Sequence, residues 1–139
     1  MTKVDPNLRR EIILEHYQNP KNRGLVQEDG YLRENTYNDS CIDNLDIMMK
    51  IEDDVIKDIR FDGEACAIST SATSIMIETL LGKTVDEAKE IIHNYENMIE
   101  EKDYQKEILG ELIVYNETYK QPNRKKCALL PFESVKKIL

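Results

Sequence analysis

The sequence of 139 residues contains no tryptophan, two phenylalanines, five glycines and four prolines. It has no apolar run of bilayer-spanning length, and residues 1–11 hold no apolar signal segment, so we expect a cytoplasmic protein. The composition, 40% hydrophobic and 33% charged, excludes disordered and fibrous classes and is typical of a globular chain. At this length we expect a single domain covering residues 1–139.

Basic residues are in the minority, with 19 Lys and Arg against 27 Asp and Glu and a net charge of −8. Such a surface repels nucleic-acid phosphates and anionic lipids. We therefore expect neither a nucleic acid nor a membrane as a partner. A positively charged protein partner fits this charge better.

Cysteine and histidine are both scarce. The three cysteines cannot all pair with one another, and a reducing cytosol disfavours disulfides. They are therefore either inert buried thiols or working thiolates. Of the two histidines, we interpret His16 as a packing or hydrogen-bonding residue and His93 as a residue that faces solvent.

Apolar periodicity predicts helices that flank a β-hairpin. Strands are predicted over Leu45–Ile51 and Val55–Phe61, joined by a turn at Asp53-Asp54, and the loop before them holds a possible edge strand. Helices are predicted after Asp5-Pro6, over about Ala67–Leu81, after a Thr84/Glu87 capping box, and from near Cys127 to the end of the chain. Although the second of these helices is rich in serine and threonine, its apolar stripe predicts a packed helix.

The three cysteines lie at the ends of predicted elements, where side chains from distant segments can converge. Cys41 precedes the first hairpin strand, Cys66 precedes the serine-rich helix, and Cys127 lies at the predicted opening of the last helix. Asp43 follows Cys41 by two residues, so both side chains can point the same way from an extended loop. Three thiolates and one carboxylate suit tetrahedral zinc, although packing is the alternative role of a buried cysteine.

Four segments, in register along the chain, resemble the IscU/NifU-type iron–sulfur scaffold proteins. Residues 38–43, Asn-Asp-Ser-Cys-Ile-Asp, resemble the family's Asn-Pro-x-Cys-Gly-Asp loop, and residues 63–69, Gly-Glu-Ala-Cys-Ala-Ile-Ser, are similar to its Gly-x-Gly-Cys-x-Ile-Ser segment. Residues 16–20, His-Tyr-Gln-Asn-Pro, resemble the opening motif of the family. Residues 124–128, Arg-Lys-Lys-Cys-Ala, are similar to the Arg-x-Lys-Cys-Ala segment of one branch, the SufU proteins.

Two features favour the SufU branch. Lys126 stands where scaffold proteins carry a histidine, and the long interval between Cys66 and Cys127 fits a SufU insertion. The resemblance implies an α+β fold with a small antiparallel sheet covered by helices. It also implies one zinc ion held by Cys41, Asp43, Cys66 and Cys127.

The SufU resemblance further implies an activity. By this resemblance, Cys41 would accept persulfide sulfur from a SufS-type cysteine desulfurase. In the family, a desulfurase histidine first takes over one zinc coordination position. The sulfur would then pass to downstream iron–sulfur assembly proteins. Two alternatives stay open: a scaffold that carries a transient iron–sulfur cluster on the same residues, and a zinc-stabilised interaction module without transfer activity.

Three residues depart from the family pattern. Ile42 and Ala65 stand where the family has glycines, and Asp39 stands where it has proline. A β-branched residue resists backbone angles that glycine permits, so Ile42 is expected to stiffen the loop or re-aim Asp43. Asp39 places a further carboxylate near Cys41, which opposes ionisation of that thiol when no metal is bound.

Overall fold

A small antiparallel sheet is covered by helices in the computed structural model, which describes residues 4–36 and 43–139. The three strands lie in the sheet in their chain order, and neighbouring strands are antiparallel. Between the last two long helices lie short 3-10 helices at residues 106–108, 110–115 and 118–120. The predicted α+β class is confirmed. The elements are α1 (Pro6–Gln18), β1 (Tyr31–Asn35), β2 (Asn44–Glu52), β3 (Val55–Glu64), α2 (Ala67–Leu80), α3 (Val85–Ile99) and α4 (Pro122–Ile138).

The predicted hairpin is confirmed, and its turn explains its register. Asp53 and Asp54 both have positive φ, 51° and 64°, as the tight hairpin turn that matches strand twist requires. The second strand runs further than predicted, through Gly63 to Glu64. Gly63 has φ +126°, and a Cβ at this position would lie 2.2 Å from the Asn44 carbonyl oxygen. Glycine thus allows this strand to continue beyond Phe61, where the predicted strand ended.

The serine-rich segment forms the packed helix that the sequence predicts. All residues from Ser69 to Ile77 of α2 are buried, and the helix packs against α1, α4 and β3. Small hydroxyl side chains permit this close approach because they bond within the structure. Thr73, for example, donates to the Ser69 carbonyl oxygen at 2.7 Å.

The predicted helix starts are also confirmed. The Asp5 carboxylate accepts a hydrogen bond from the Asn7 amide at 3.0 Å, ahead of the proline that opens α1. Thr84 and Glu87 form the reciprocal capping box of α3, and the hydrogen bond from the Thr84 amide lowers the pKa of the Glu87 carboxyl. Among the described residues, no helix is long and apolar enough to cross a membrane.

Three aromatic rings join α3 and α4 at the centre of the core. Tyr95 stacks on Phe132 with centroids 4.1 Å apart, and it meets Tyr115 edge to face at 6.3 Å. The Tyr95 hydroxyl donates to the Ala128 carbonyl oxygen at 2.8 Å. Burial raises the pKa of both Tyr95 and Tyr115 above the ordinary value, so both hydroxyls stay protonated.

The last helix corrects one prediction. It begins at Pro122 rather than near Cys127, so Pro131 lies in its interior. Proline has no amide hydrogen, so the carbonyl four residues earlier, that of Cys127, loses its helical partner. The Ser69 hydroxyl, which lies 3.0 Å from that oxygen, takes the place of the missing donor. A tertiary contact therefore compensates for the interior proline.

Candidate metal centre

Three of the four predicted ligands come together at one end of α2. Asp43 immediately precedes β2, Cys66 caps the N-terminus of α2, and Cys127 lies in the second turn of α4. One carboxylate oxygen and the two sulfur atoms all lie within 4.8 Å of one another. The fourth predicted ligand, Cys41, lies outside the described residues, as do Asp39 and Ile42.

The Asp43 carboxylate is held in place before any ion binds. The residue is buried, with 4% of its surface exposed. Its Oδ1 accepts a hydrogen bond from the Cys66 amide at 2.9 Å, and its Oδ2 accepts one from the Ser69 hydroxyl at 2.8 Å. Each oxygen keeps a free lone pair, so the carboxylate remains able to bind a cation.

Cys66 occupies the N-cap position of α2. Its sulfur accepts a hydrogen bond from the Ser69 amide at 3.4 Å, in the manner of an N-cap side chain. The predicted helix N-terminus is confirmed for Cys66. The same prediction was wrong for Cys127, because α4 begins five residues before it.

Ser69 connects all three residues and was not predicted as part of the site. Its amide bonds to Cys66, and its hydroxyl lies within reach of both Asp43 and the Cys127 carbonyl. Because a hydroxyl carries a single proton, these two acceptors share it. The interior proline at position 131, four residues after Cys127, is the sequence signal that could have pointed to a tertiary donor for the Cys127 carbonyl.

The donor set fits a zinc-like ion. Two sulfurs and a carboxylate oxygen are donors of the borderline softness that zinc accepts. Zinc–sulfur bonds of about 2.3 Å place tetrahedral sulfur ligands roughly 3.8 Å apart, so small side-chain rotations suffice to close the observed spacing. Cys66 and Cys127 are half-buried, so an ion bound by them would remain accessible to a further ligand.

One departure from the family pattern is accommodated without strain. Ala65 is not one of the described residues that have a positive φ. Its methyl group therefore causes no backbone strain. The residue packs against the hydrophobic core instead. Glycine is therefore required at position 63 but not at position 65.

A groove of about 760 Å³ with a positively charged lining lies beside the centre. Ala67 and Ile68, which follow Cys66, form part of its wall. Its charged lining residues are Arg9, Arg10, Lys120, Arg124 and Glu117. Although the whole chain is acidic, the surface next to the candidate centre is basic.

The two histidines lie where the sequence interpretation puts them. His16 Nδ1 lies 2.7 Å from the Ser74 hydroxyl oxygen, which confirms its hydrogen-bonding role. His93 is exposed on α3, and its Nε2 lies 3.3 Å from the Asn97 side-chain nitrogen. Neither residue belongs to the described part of the cysteine-bearing centre.

Comparison with known proteins identifies one family. The NifU-like N terminal domain family model matches residues 8–128. The zinc-dependent sulfurtransferase SufU of Bacillus subtilis is 32% identical over 94% of this chain and 88% of its own length. The iron–sulfur cluster assembly scaffold protein IscU of Thermotoga maritima is 31% identical over 93% of this chain and 90% of its own length. A crystal structure of an iron–sulfur cluster assembly scaffold protein for the SUF system from Fervidobacterium islandicum superposes with a TM-score of 0.85 at 32% identity, covering 95% of this chain and 97% of the other.

Proposed function

The chain belongs to the NifU-like N-terminal domain family, and from this premise we propose that it is a zinc-dependent sulfurtransferase of iron–sulfur cluster assembly. It accepts persulfide sulfur from a SufS-type cysteine desulfurase and passes it to downstream assembly proteins. The observation that carries the proposal is the convergence of Asp43, Cys66 and Cys127 within 4.8 Å.

We assign the zinc ligands as Cys41, Asp43, Cys66 and Cys127. Bound zinc keeps cysteine ligands deprotonated at neutral pH while damping their reactivity. Cys41 is two residues from Asp43 in sequence, which supports its assignment as the fourth ligand. The hydrogen bonds from Cys66 and Ser69 orient the carboxylate, as the outer partners of metal ligands do.

Cys41 is the sulfur acceptor in this proposal. Its thiolate attacks the terminal sulfur of the desulfurase persulfide, forming a new sulfur–sulfur bond on Cys41. The bond to the desulfurase cysteine breaks, and that cysteine leaves as a thiolate. The electrons balance without an added oxidant or reductant.

Two sequence features and one relative favour transfer over scaffolding. Lys126 replaces the histidine that precedes the third cysteine in scaffold proteins, and the interval between Cys66 and Cys127 is long. The Bacillus subtilis relative, which matches along most of its length, is itself named a zinc-dependent sulfurtransferase.

The second candidate function is a scaffold for a transient iron–sulfur cluster. The similarity to the Thermotoga maritima scaffold protein favours it. Metal analysis of aerobically purified protein separates the two functions. A colourless protein with about one zinc per chain supports the transfer function, whereas a coloured protein with bound iron and sulfide supports the scaffold.

Sulfur transfer is tested directly by adding the full chain and free cysteine to a SufS-type desulfurase. We expect faster alanine release and one added sulfur on Cys41, measured by mass spectrometry of tryptic peptides. Cys41→Ala should abolish both effects, because the accepting thiolate is gone. Ser40→Ala, a change of similar size in the neighbouring residue, should leave both intact.

Two results would count against this role. Sulfur acceptance by Cys41→Ala at the wild-type rate would exclude Cys41 as the acceptor. No stimulation and no persulfide with the wild-type chain would leave a zinc-stabilised interaction module as the better description.

A further inference from the structure

A second group of metal-type donors surrounds His16, at the other end of the buried serine-rich helix. His16 Nε2 lies 3.1 Å from Glu111 Oε1 and 3.4 Å from Glu78 Oε2. These three donor atoms lie within 4.8 Å of one another. They come from α1, α2 and the 3-10 helix at residues 110–115, so tertiary packing rather than local sequence brings them together.

The imidazole ring is fixed from its far side. His16 is largely covered, with 15% of its side chain exposed, and its Nδ1 lies 2.7 Å from the Ser74 hydroxyl oxygen. That oxygen also accepts a hydrogen bond from the Lys21 amide at 2.8 Å. Metal-binding histidines commonly have their second ring nitrogen held in this way, which fixes the direction of the first.

The Ser74 hydroxyl allows His16 to change tautomer without losing its bond. When Nε2–H donates to a carboxylate, Nδ1 can accept a hydrogen bond from the Ser74 hydroxyl. With an ion bound, Nε2 must offer its lone pair, and Nδ1–H donates to Ser74 instead. A hydroxyl both donates and accepts, so it satisfies either arrangement.

The spacing of the donor atoms suits an ion at their centre. Bonds of about 2.0–2.2 Å from a divalent metal to nitrogen and oxygen imply ligand separations of roughly 3.0–3.5 Å. The distances from His16 Nε2 to its two carboxylate neighbours, 3.1 and 3.4 Å, fall in that range. Glu78 and Glu111 carry like charges close together, and a divalent cation between them would remove their repulsion.

An acidic groove of about 510 Å³ leads to the same two carboxylates. Glu87 already caps α3, but Glu90 and Glu107 form no ion pair among the described residues. Clustered charges of one sign raise the local concentration of counter-ions. The charged residues that line this groove are Glu78, Glu87, Glu90, Glu107, Glu111 and Lys83.

We propose that His16, Glu78 and Glu111 form a second metal site that binds a divalent transition-metal ion such as Mn²⁺, Fe²⁺ or Zn²⁺. One imidazole and two carboxylates form a harder donor set than the cysteine-bearing centre, and the imidazole disfavours Mg²⁺ and Ca²⁺. Half of each glutamate side chain is exposed, which leaves open positions for water or an ion-bound anion. The site is independent of sulfur transfer.

Mn²⁺ is the suitable probe because thiolates bind it poorly. Titration of the full chain, with free Mn²⁺ measured by electron paramagnetic resonance, should show one saturable site with a dissociation constant on the order of 0.1 mM. Glu111→Gln, Glu78→Gln and His16→Gln should each weaken binding by at least about tenfold, the lower range for disturbing a metal site.

Two control variants separate ligation from general charge effects. Glu90→Gln removes one charge from the same groove without touching His16, and His93→Gln removes the exposed histidine. Both should change Mn²⁺ affinity by less than about threefold, as expected for screened surface charge. If His16→Gln misfolds by circular dichroism, the two exposed glutamate variants decide the question.

Absence of saturable Mn²⁺ binding by the wild-type chain would overturn the proposal and leave a simple ion-paired histidine. Equal weakening by Glu90→Gln and Glu111→Gln would overturn it as well, because binding would then reflect the field of the groove. Loss confined to the three proposed ligands supports it.

Discussion

The two ends of α2 organise their polar partners in the same way but with different chemistry. At the N-terminal end, Ser69 bonds to Asp43 and lies against Cys127. Near the other end, Ser74 bonds to His16, which faces two glutamates. The two serines are five residues apart, so they lie roughly 7.5 Å apart along the helix.

The comparison shows how one buried helix can orient two unlike groups of metal-type donor atoms. Both serines are fully buried, and each orients a donor that a distant segment supplies. Sulfur donors dominate at the first end, whereas nitrogen and carboxylate oxygens form the second. The first end should therefore select zinc, and the second should accept a harder ion.

The largest effect is expected from removing a sulfur ligand. Cys127→Ala should weaken zinc binding by more than about 100-fold, which exceeds the loss expected when only an outer partner is removed. It should leave Mn²⁺ binding at His16 unchanged. Competition with a chromophoric chelator measures the first quantity. Parallel loss at both ends would show that the two sites are not separate.

A large effect on stability is expected at the strand that delivers Cys66. Gly63→Ala forces a Cβ to 2.2 Å from a backbone oxygen at φ +126°, so it should cost about 3 kcal/mol or more in unfolding free energy. Ala65→Gly, two residues later, should cost less than about 1 kcal/mol. Urea denaturation of the metal-free proteins measures both. Similar costs at the two positions would contradict this assignment of backbone constraint.

A smaller, reciprocal effect is expected from the two serines. Ser69→Ala removes a hydrogen bond that orients Asp43, so zinc affinity should fall by about 10–100-fold. Ser74→Ala should leave zinc affinity within about threefold and weaken Mn²⁺ binding instead. Each variant is thus the control for the other. If both serines affected zinc alike, the division between the two ends would fail.

The smallest effect is expected at Pro131. Pro131→Ala restores an amide that can bond to the Cys127 carbonyl, and helix propensity favours alanine by about 3 kcal/mol. Loss of two buried methylenes, at about 0.8 kcal/mol each, and a more flexible unfolded chain oppose this gain. The unfolding free energy should change by less than about 1 kcal/mol in thermal denaturation. A loss of several kcal/mol would mean that the proline is structurally required.

Sequence patterns were sufficient where local chemistry decides the structure. The Asp53-Asp54 turn, the Thr84/Glu87 capping box and the cap at Asp5 each depend on residues within a few positions of one another. The family resemblance is confirmed by the match over residues 8–128. The convergence of Asp43, Cys66 and Cys127 matches three of the four ligands that this resemblance implies.

Features that depend on distant contacts could not be predicted. The start of α4 was placed too late because an interior proline normally breaks a helix. The Ser69 hydroxyl on α2, a distant contact, bonds to the Cys127 carbonyl that this proline cannot serve. Glu78 and Glu111 look like ordinary exposed glutamates in the sequence. Their meeting with His16 requires α1, α2 and a 3-10 helix to pack together.

The central claim is that Asp43, Cys66 and Cys127, with Cys41, hold one zinc ion. X-ray absorption at the zinc edge of the purified full chain tests it most directly. We predict about three sulfur ligands near 2.3 Å and one oxygen ligand near 2.0 Å. A zinc shell of nitrogen and oxygen alone, without sulfur, would contradict the claim.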